Sequence, residues 1–301
     1  MKSINNRKRG YNKVFCRFCR GKDIKKDGKR KTQNRGSIQR YKCKKCNKRF
    51  VVDDGFFRMR NSEKKITLCL DLFFKGISTR KIEEHLQSFY PQNSSWVTVY
   101  SWIIKYSNMI HKFTDKLRIK TGKELMSDEM EYHRLGKQNW FVDVMDTKTR
   151  YMVSSDYMTS RTLENMAKVL ANARKKTGDQ IKVVTTDGLK GYPRVLKKTF
   201  GLKTHWNHKS RIVHNIVIAS ERGFNHKIER LHNSIRERTK TMRGFHGSLE
   251  GASAIMKGYE VYYNFIRKHQ ALNKRPYELT TEIKLGKNKW LGLIKISQLK
   301  H

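Results

Sequence analysis

Two sets of side chains in this 301-residue chain have the types and spacing to hold metal ions, and they call for different metals. Four cysteines come in two pairs, Cys16-Arg-Phe-Cys19 and Cys43-Lys-Lys-Cys46, with 23 residues between them. Each C-x2-C knuckle offers two thiolates from one tight turn, so the two together match a tetrahedral structural Zn²⁺ site. A segment this polar has little core of its own, and a bound ion would supply the folding energy it lacks. Cys69 lies in an apolar helical pattern and reads as a core residue. The second set is acidic: Asp128, Asp187 and Glu229. Carboxylates far apart along a chain that meet in space suit two Mg²⁺ or Mn²⁺ ions, hard cations that prefer oxygen. Such a pair straddles a phosphodiester, activating the attacking water or sugar hydroxyl on one side and steadying the leaving oxygen on the other.

The elements that must position these groups are read from periodicity. Ile181-Lys-Val-Val-Thr-Thr is a β-branched run that stops at Asp187. It reads as a buried strand carrying a carboxylate to its carboxyl end, where α/β folds bind ligands. Alternation over 125–133, 139–146 and 150–155 predicts three strands joined by turns short enough for antiparallel hairpins. A helix follows over 161–176, closed by Gly178; then come the 181–186 strand, a short helix after Tyr192-Pro193, a strand over 202–206 and a helix from about Asn225. Three antiparallel strands, then helix, strand, helix, strand, helix is the element order of the ribonuclease H-like fold, an α/β class with a mixed sheet and flanking helices. That order sets strand 125–133 at the centre beside 181–186 and makes Asp128 the neighbour of Asp187. In the last helix Ile228, Leu231 and Ile235 form the apolar stripe, with Glu229, His232 and Arg236 on the stripe beside it. Glu221 and Glu237 are the rivals of Glu229. Alternation sends Glu129 to the face opposite Asp128, and Asp143 and Asp146 are expected to shape the hairpin.

Residues 62–106 read as three helices: one from Ser62 to a stop at Gly76, a short one capped by Ser78 or Thr79, and a third opened by Ser95 and Trp96. This is the arrangement of a helix-turn-helix, whose last helix enters a major groove by its first turn. The expected DNA contacts are Arg80, Lys81, Ser95, Trp96, Thr98, Tyr100 and Lys105, joined by His232 and Arg236 from the acidic helix.

Lys and Arg total 67 against 26 Asp and Glu, a net charge of +41, and residues 1–50 alone hold 20 of these cations against 2 acids. Charge of this size draws phosphate backbones over long range, and the basic residues from Lys197 to Arg222 are expected to line a DNA path. No apolar run approaches the ~18 residues of a membrane span, and the first residues lack the apolar core of a signal peptide. The expectation is a cytoplasmic protein held on DNA, with no membrane partner, whose reduced cysteines are metal ligands or core.

Ser127-Asp128-Glu129, Thr186-Asp187-Gly188 with Tyr192-Pro193, and Asn225-x-x-Ile228-Glu229-x-x-His232-x-x-Ile235-Arg236-x-Arg238 together resemble the DDE transposases of insertion sequences. The group they resemble most has a retroviral-integrase-like catalytic domain. Tyr262-Tyr263-Asn264-Phe265 and His269-Gln-Ala-Leu-Asn-Lys-Arg-Pro276 are similar to the segment that closes such domains. The resemblance implies that Asp128, Asp187 and Glu229 bind the catalytic ions, that the helix-turn-helix recognises terminal inverted repeats, and that a homo-oligomer acts on paired DNA ends. The 41 residues between Asp187 and Glu229 exceed the usual spacing of these families. The expected organisation is a zinc ribbon over 1–55, a helix-turn-helix module over 60–115, a catalytic domain over 120–280 and a tail over 281–301. The expected activity is metal-dependent DNA cleavage and strand transfer. A catalytically inactive DNA-binding regulator would show no Mg²⁺-dependent cleavage, and a ribonuclease H-like nuclease would need no terminal repeat.

Overall fold

The computed structural model describes residues 14–33, 36–90, 94–202, 212–217, 226–239, 242 and 244–299. Glu221, His205, His208 and much of the basic stretch from Lys197 to Arg222 lie outside the described residues, as does most of the strand expected over 202–206.

The first unit is a three-stranded antiparallel sheet, β1 (Ile24–Thr32), β2 (Gly36–Cys43) and β3 (Arg49–Val51), in that spatial order. The β1–β2 hairpin fills the long interval between the cysteine pairs. It carries a register shift between Lys26 and Lys29, where Gly28 has φ +69; a bulge with a left-handed glycine is a common way to admit an extra residue. Among the described residues its buried apolar side chains are Cys16, Cys43 and Phe50, with Val14, Ile24 and Tyr41 packed partly buried against them.

Three helices follow: α1 (Glu63–Phe74), α2 (Thr79–Phe89) and α3 (Trp96–Thr114). Each starts on a serine, Ser62, Ser78 and Ser95, whose hydroxyl accepts a backbone N–H of the first turn. Gly76, at φ +102, ends α1 with the amide of Ile77 donating to the Leu72 carbonyl.

The main sheet has the order β6-β5-β4-β7-β8. β4 (Glu124–Glu131), β5 (Trp140–Asp146) and β6 (Met152–Met158) are antiparallel, whereas β7 (Val183–Thr186) is parallel to β4 and β8 (Val213–Ile216) is parallel to β7. This is the ribonuclease H-like arrangement, with β4 central and β7 beside it. The fifth strand lies at 213–216, later than the sequence suggested; Leu202 contributes only a single bridge, to Ile212. Helices α4 (Leu163–Thr177) and α5 (Tyr192–Thr199) connect the strands, and α6 (His226–Thr239) lies against β4.

α7 (Leu249–Val261) runs on through a π-helical turn, Tyr262–Ile266, into a short α8 (Tyr277–Thr280). Asn264 in that turn accepts from the Met152 amide and donates to the Met152 carbonyl, both at 2.8 Å. Met152 borders the β5–β6 register shift, so the asparagine satisfies strand groups there. The expected tail over 281–301 contains α9 (Lys289–Leu299), whose Trp290, Leu293 and Ile294 are buried. These apolar side chains need a partner surface, and α1 and α3 provide it.

α3 packs along α7, and at Gly258 an added Cβ would overlap the Phe74 ring and Ser107 Oγ. Glycine is what permits so close a helix crossing. A single apolar cluster consequently runs from Phe56 through the three helices and the main sheet to Ile294. Polar groups tie the same layers: Lys176 on α4 donates to the Val153 carbonyl at 2.7 Å and pairs with Asp115 at 3.0 Å, and Ser155 donates to Glu260 at 2.6 Å. No helix among the described residues is long and apolar enough to cross a membrane.

Candidate active site

The last paired residues of β4 and β7 are Met126 and Thr185, and β7 ends at Thr186. Beyond that point the β4 edge has no neighbouring strand, and three carboxylates gather around it. Asp128, Glu129 and Asp187 each bring an oxygen within 4.8 Å of the others. Successive strand residues leave from opposite faces, so Asp128 turns toward α6 and Glu129 toward α5. At an open edge both can still bend toward Asp187, the first residue after β7.

Each carboxylate is held by its own partners. Asp128 Oδ1 accepts the Glu129 amide at 2.8 Å, and Asp187 Oδ1 accepts the Leu189 amide at 3.1 Å. Glu129, with a side chain only 3% exposed, accepts from the Tyr192 hydroxyl at 2.8 Å and from Arg161 Nη1 at 2.9 Å. Arg161 is itself stacked over the Trp140 ring, 3.9 Å from its centroid.

On the α6 side, buried His232 bridges two acids. Its Nε2 lies 2.6 Å from Asp143 Oδ1, and its Nδ1 lies 3.6 Å from Asp128 Oδ2. Asp143 faces Asp128 across the β4–β5 ladder and is fully buried. Burial pushes Asp143 above the ordinary carboxylate range, with His232 opposing. For His232 burial lowers the pKa, but Asp143 and then Asp128 outweigh it, and the net shift is upward.

The acidic group is under electrostatic pressure. Burial raises Asp128 to about 7; His232 works against the rise, and Asp143 and Glu129 add to it. Burial likewise raises Glu129, and Asp187 adds to that shift. Crowded carboxylates with raised pKa values are a form of stored repulsion that a cation relieves.

Several expectations change here. Glu129 joins Asp128 and Asp187, because the short β7 leaves the edge open, where strict alternation had sent it away. Glu229 sits half-buried in the first turn of α6, one turn before His232, and is not part of the 4.8 Å group. Glu237 is exposed on the same helix. His232 is taken up by Asp143 and 4% exposed, so it is not a free DNA contact, whereas Arg236 is exposed.

Asp146 does shape its turn, accepting from the amides of Gly122 and Thr149, but Asp143 serves the site instead. The sequence held a signal for this. The two-residue turn at Leu135-Gly136, with Arg134 and Lys137 exchanging both hydrogen bonds, fixes a register that sets Asp143 opposite Asp128. Arg161 and the hydroxyl of Tyr192 carried no comparable signal.

The other expected contacts are divided. Arg80 lies over the exposed Trp96 ring at 4.6 Å, joining the first turns of α2 and α3, and Lys81 is also exposed. Ser95 is engaged with Thr98, their hydroxyls 3.0 Å apart. Tyr100 turns inward, its hydroxyl close enough to Gly251 of α7 to exclude a side chain there. Lys105 is exposed and reaches Met59 Sδ at 3.4 Å.

In the ribbon, Cys16, Cys19, Cys43 and Cys46 bring their sulfurs within 4.8 Å of one another. Cys16 and Cys46 are 3.5 Å apart, Cys19 and Cys43 are 3.6 Å apart, and the Phe18 amide points at Cys16 Sγ at 3.4 Å. Four thiols so gathered form the donor set of a zinc ribbon.

Comparison with known proteins adds a family. Residues 126–270 match the family model described as a DDE domain. No curated protein matches the chain. Among solved structures, the HTLV-2 integrase catalytic core domain in its trimeric form is similar at 12% identity, covering 53% of this chain and 96% of that one, with a TM-score of 0.38. The simian T-cell lymphotropic virus intasome is similar at 11% identity, covering 70% and 73%, with a TM-score of 0.40. The matched segment spans the sheet from β4 to β8 together with α6 and α7, and it includes all three clustered carboxylates. Residues 126–270 of this chain thus carry a DDE domain, the kind of domain found in DDE transposases.

Proposed function

We propose that this protein is a DNA transposase that binds the terminal inverted repeats of an insertion sequence and carries out metal-dependent strand cleavage and strand transfer. The observation that carries the reading is the meeting of Asp128 and Asp187 with a third carboxylate at the open edge of β4. The donor set fits Mg²⁺ or Mn²⁺: every ligand atom is oxygen, and burial, with the neighbouring carboxylates adding to it, raises Asp128 and Glu129. A bound pair of such ions would polarise the scissile phosphate and lower the pKa of the attacking water or 3′-hydroxyl.

The chain's own residues then have distinct tasks. Asp128 presents its oxygens from within β4 and Asp187 from just beyond the end of neighbouring β7. Tyr192 and Arg161 hold Glu129 in one rotamer, and His232, anchored by buried Asp143, steadies Asp128 from the other side. Glu229 remains the proposed third catalytic carboxylate, supported by its motif and by its place one turn ahead of His232 on α6. Glu129 is the alternative, and Glu129→Gln against Glu229→Gln separates them by which one abolishes cleavage while end binding persists.

In the same reading Zn²⁺ holds the ribbon through Cys16, Cys19, Cys43 and Cys46. The exposed first turns of α2 and α3, with Arg80 and Trp96, meet the repeat, and copies of the chain assemble on paired ends in the cytoplasm, on the nucleoid.

The test uses duplex DNA from the sequence flanking the gene, end-labelled and incubated with Mg²⁺ or Mn²⁺. Nicking at the boundary of an inverted repeat by the unaltered protein, and none by Asp187→Ala with binding retained, is the expected result. Binding without any metal-dependent cut would leave a regulator, and cutting indifferent to the repeat would leave a nuclease.

A further inference from the structure

On the flank of α6 away from His232, Arg150, Lys227, Arg230, Ser234, Arg267 and His269 line a cavity of about 160 Å³. Four permanent cations therefore converge on it, and its lining contains no Asp or Glu. Among the described residues none of the four has a carboxylate within ion-pair distance. Some basic side chains elsewhere on this protein do have a carboxylate partner, as Lys168 has in Glu164 and Arg275 in Glu278.

The cations are also held in place. Lys227 donates to the Thr147 carbonyl at 3.3 Å, and Arg267 Nη1 donates to Ser234 Oγ at 2.9 Å. Arg150 projects from the β5–β6 turn with φ +60. His269 Nδ1 is shut from solvent with no hydrogen-bond partner. Burial lowers the pKa of Arg150, and Arg230 lowers it further; His269 is lowered by burial and then by Arg267, Arg150 and Arg230. Four cations brought together around one cavity, with a buried ring nitrogen left without a partner, describe a site suited to an anion.

We propose that this cavity is a phosphate-binding subsite for the DNA backbone, separate from the carboxylates. The proposal rests on the DNA-transposase reading for the identity of the ligand. From Asp143, beside the acidic group, β5 runs three residues to Asp146 before the turn that carries Arg150, roughly 10 Å at the usual strand rise. The subsite therefore takes a phosphate some nucleotides away from the scissile one and fixes the strand's register. It also assigns a role to the His269-Gln-Ala-Leu segment, which the carboxylate chemistry leaves unused.

The test measures affinity for duplex DNA of arbitrary sequence against salt, with no divalent ion present, so that it does not depend on cleavage. Each phosphate neutralised contributes about −0.9 to the slope of log affinity against log salt. Arg230→Gln and Arg150→Gln are each expected to flatten the slope by just under one unit and to weaken binding several-fold whatever the sequence. An unchanged slope in both variants overturns the subsite, and it does so even if the unaltered protein cuts DNA. If the variants fail to fold, dicarbonyl modification of arginines in the unaltered protein decides. Protection of Arg150, Arg230 and Arg267 by DNA, but not by inorganic phosphate at equal ionic strength, supports the assignment. Equal labelling with and without DNA, or equal protection by inorganic phosphate, overturns it.

Discussion

Among the described residues, the buried apolar support around the four cysteines is Phe50 beside Cys16 and Cys43 themselves; around the carboxylates it is a continuous core from Phe56 to Ile294. The cysteines arrive as two local pairs, each from a single turn. The carboxylates arrive from two strands of the main sheet, and protein partners hold them in position. In the ribbon the ion would be part of the fold, whereas in the sheet the fold exists first and the ions would be part of the chemistry. Small units lacking a core depend on such staples, and large ones do not.

The sharpest way to break this contrast is to remove the ligands on each side. Cys43→Ser, or chelation, is expected to unfold the ribbon alone, since structural zinc supplies about 10–16 kcal/mol of folding free energy in small domains. Amide exchange over 24–51 should become fast while the main sheet stays protected; a ribbon that remains protected without metal would refute the dependence. Asp187→Asn should do the reverse, cutting strand cleavage by about 10²–10³-fold or more, on the order of 3–4 kcal/mol. Its thermal midpoint should stay within a few degrees of the parent, and a large fall would make Asp187 a structural residue.

His232→Ala tests whether the acidic site has any structural component. It strands Asp143 in the interior and is expected to cost about 3–5 kcal/mol in denaturant unfolding. A loss under ~1 kcal/mol would mean that Asp143 is not charged in the fold.

A pH series probes the same group less severely. Asp128 has a folded pKa of about 7, above the ordinary carboxylate value of ~3.9, so in that window the folded state binds more protons than the unfolded and stability falls as pH rises. His232, also raised, contributes stability that is present below its unfolded pKa and lost as pH climbs through its folded one. Glu260 behaves oppositely. Burial pushes it up, but Lys176 and His111 overcome this and lower it, so its contribution holds above the ordinary glutamate range and is lost only in acid. Melting temperatures without divalent ions should peak in mildly acidic buffer, and adding Mg²⁺ should move the peak upward; a peak indifferent to Mg²⁺ would remove the carboxylates as its site. The smallest effect belongs to Tyr192→Phe, which deletes one hydrogen bond to Glu129 and should cost about 1 kcal/mol, read as a few-fold loss of cleavage with the fold intact.

Most of the scaffold was legible because its signals are local. Alternation marked β4, β5 and β6, a β-branched run marked β7, and serines marked the helix starts. The cysteine cluster was legible for the same reason, since spacing alone defines a knuckle. What escaped depended on where elements stop. Alternation correctly assigned Glu129 to the other face, but β7 ends two residues short of blocking the edge, and that length is set by tertiary packing. The inward turn of Tyr100 likewise follows from α3 lying along α7, and the burial of α9 from its seat on α1 and α3, pairings of distant segments that no local pattern announces.

The crossing at Gly258 has one more result. With α3 seated on α7 and both sharing one apolar cluster with the main sheet, the exposed first turn around Trp96 and the edge carrying Asp128 and Asp187 are built on one packed core. In the proposed reading, the stretch of duplex gripped by that turn would fix where the carboxylates meet the strand, and the protein would act as its own ruler along the DNA.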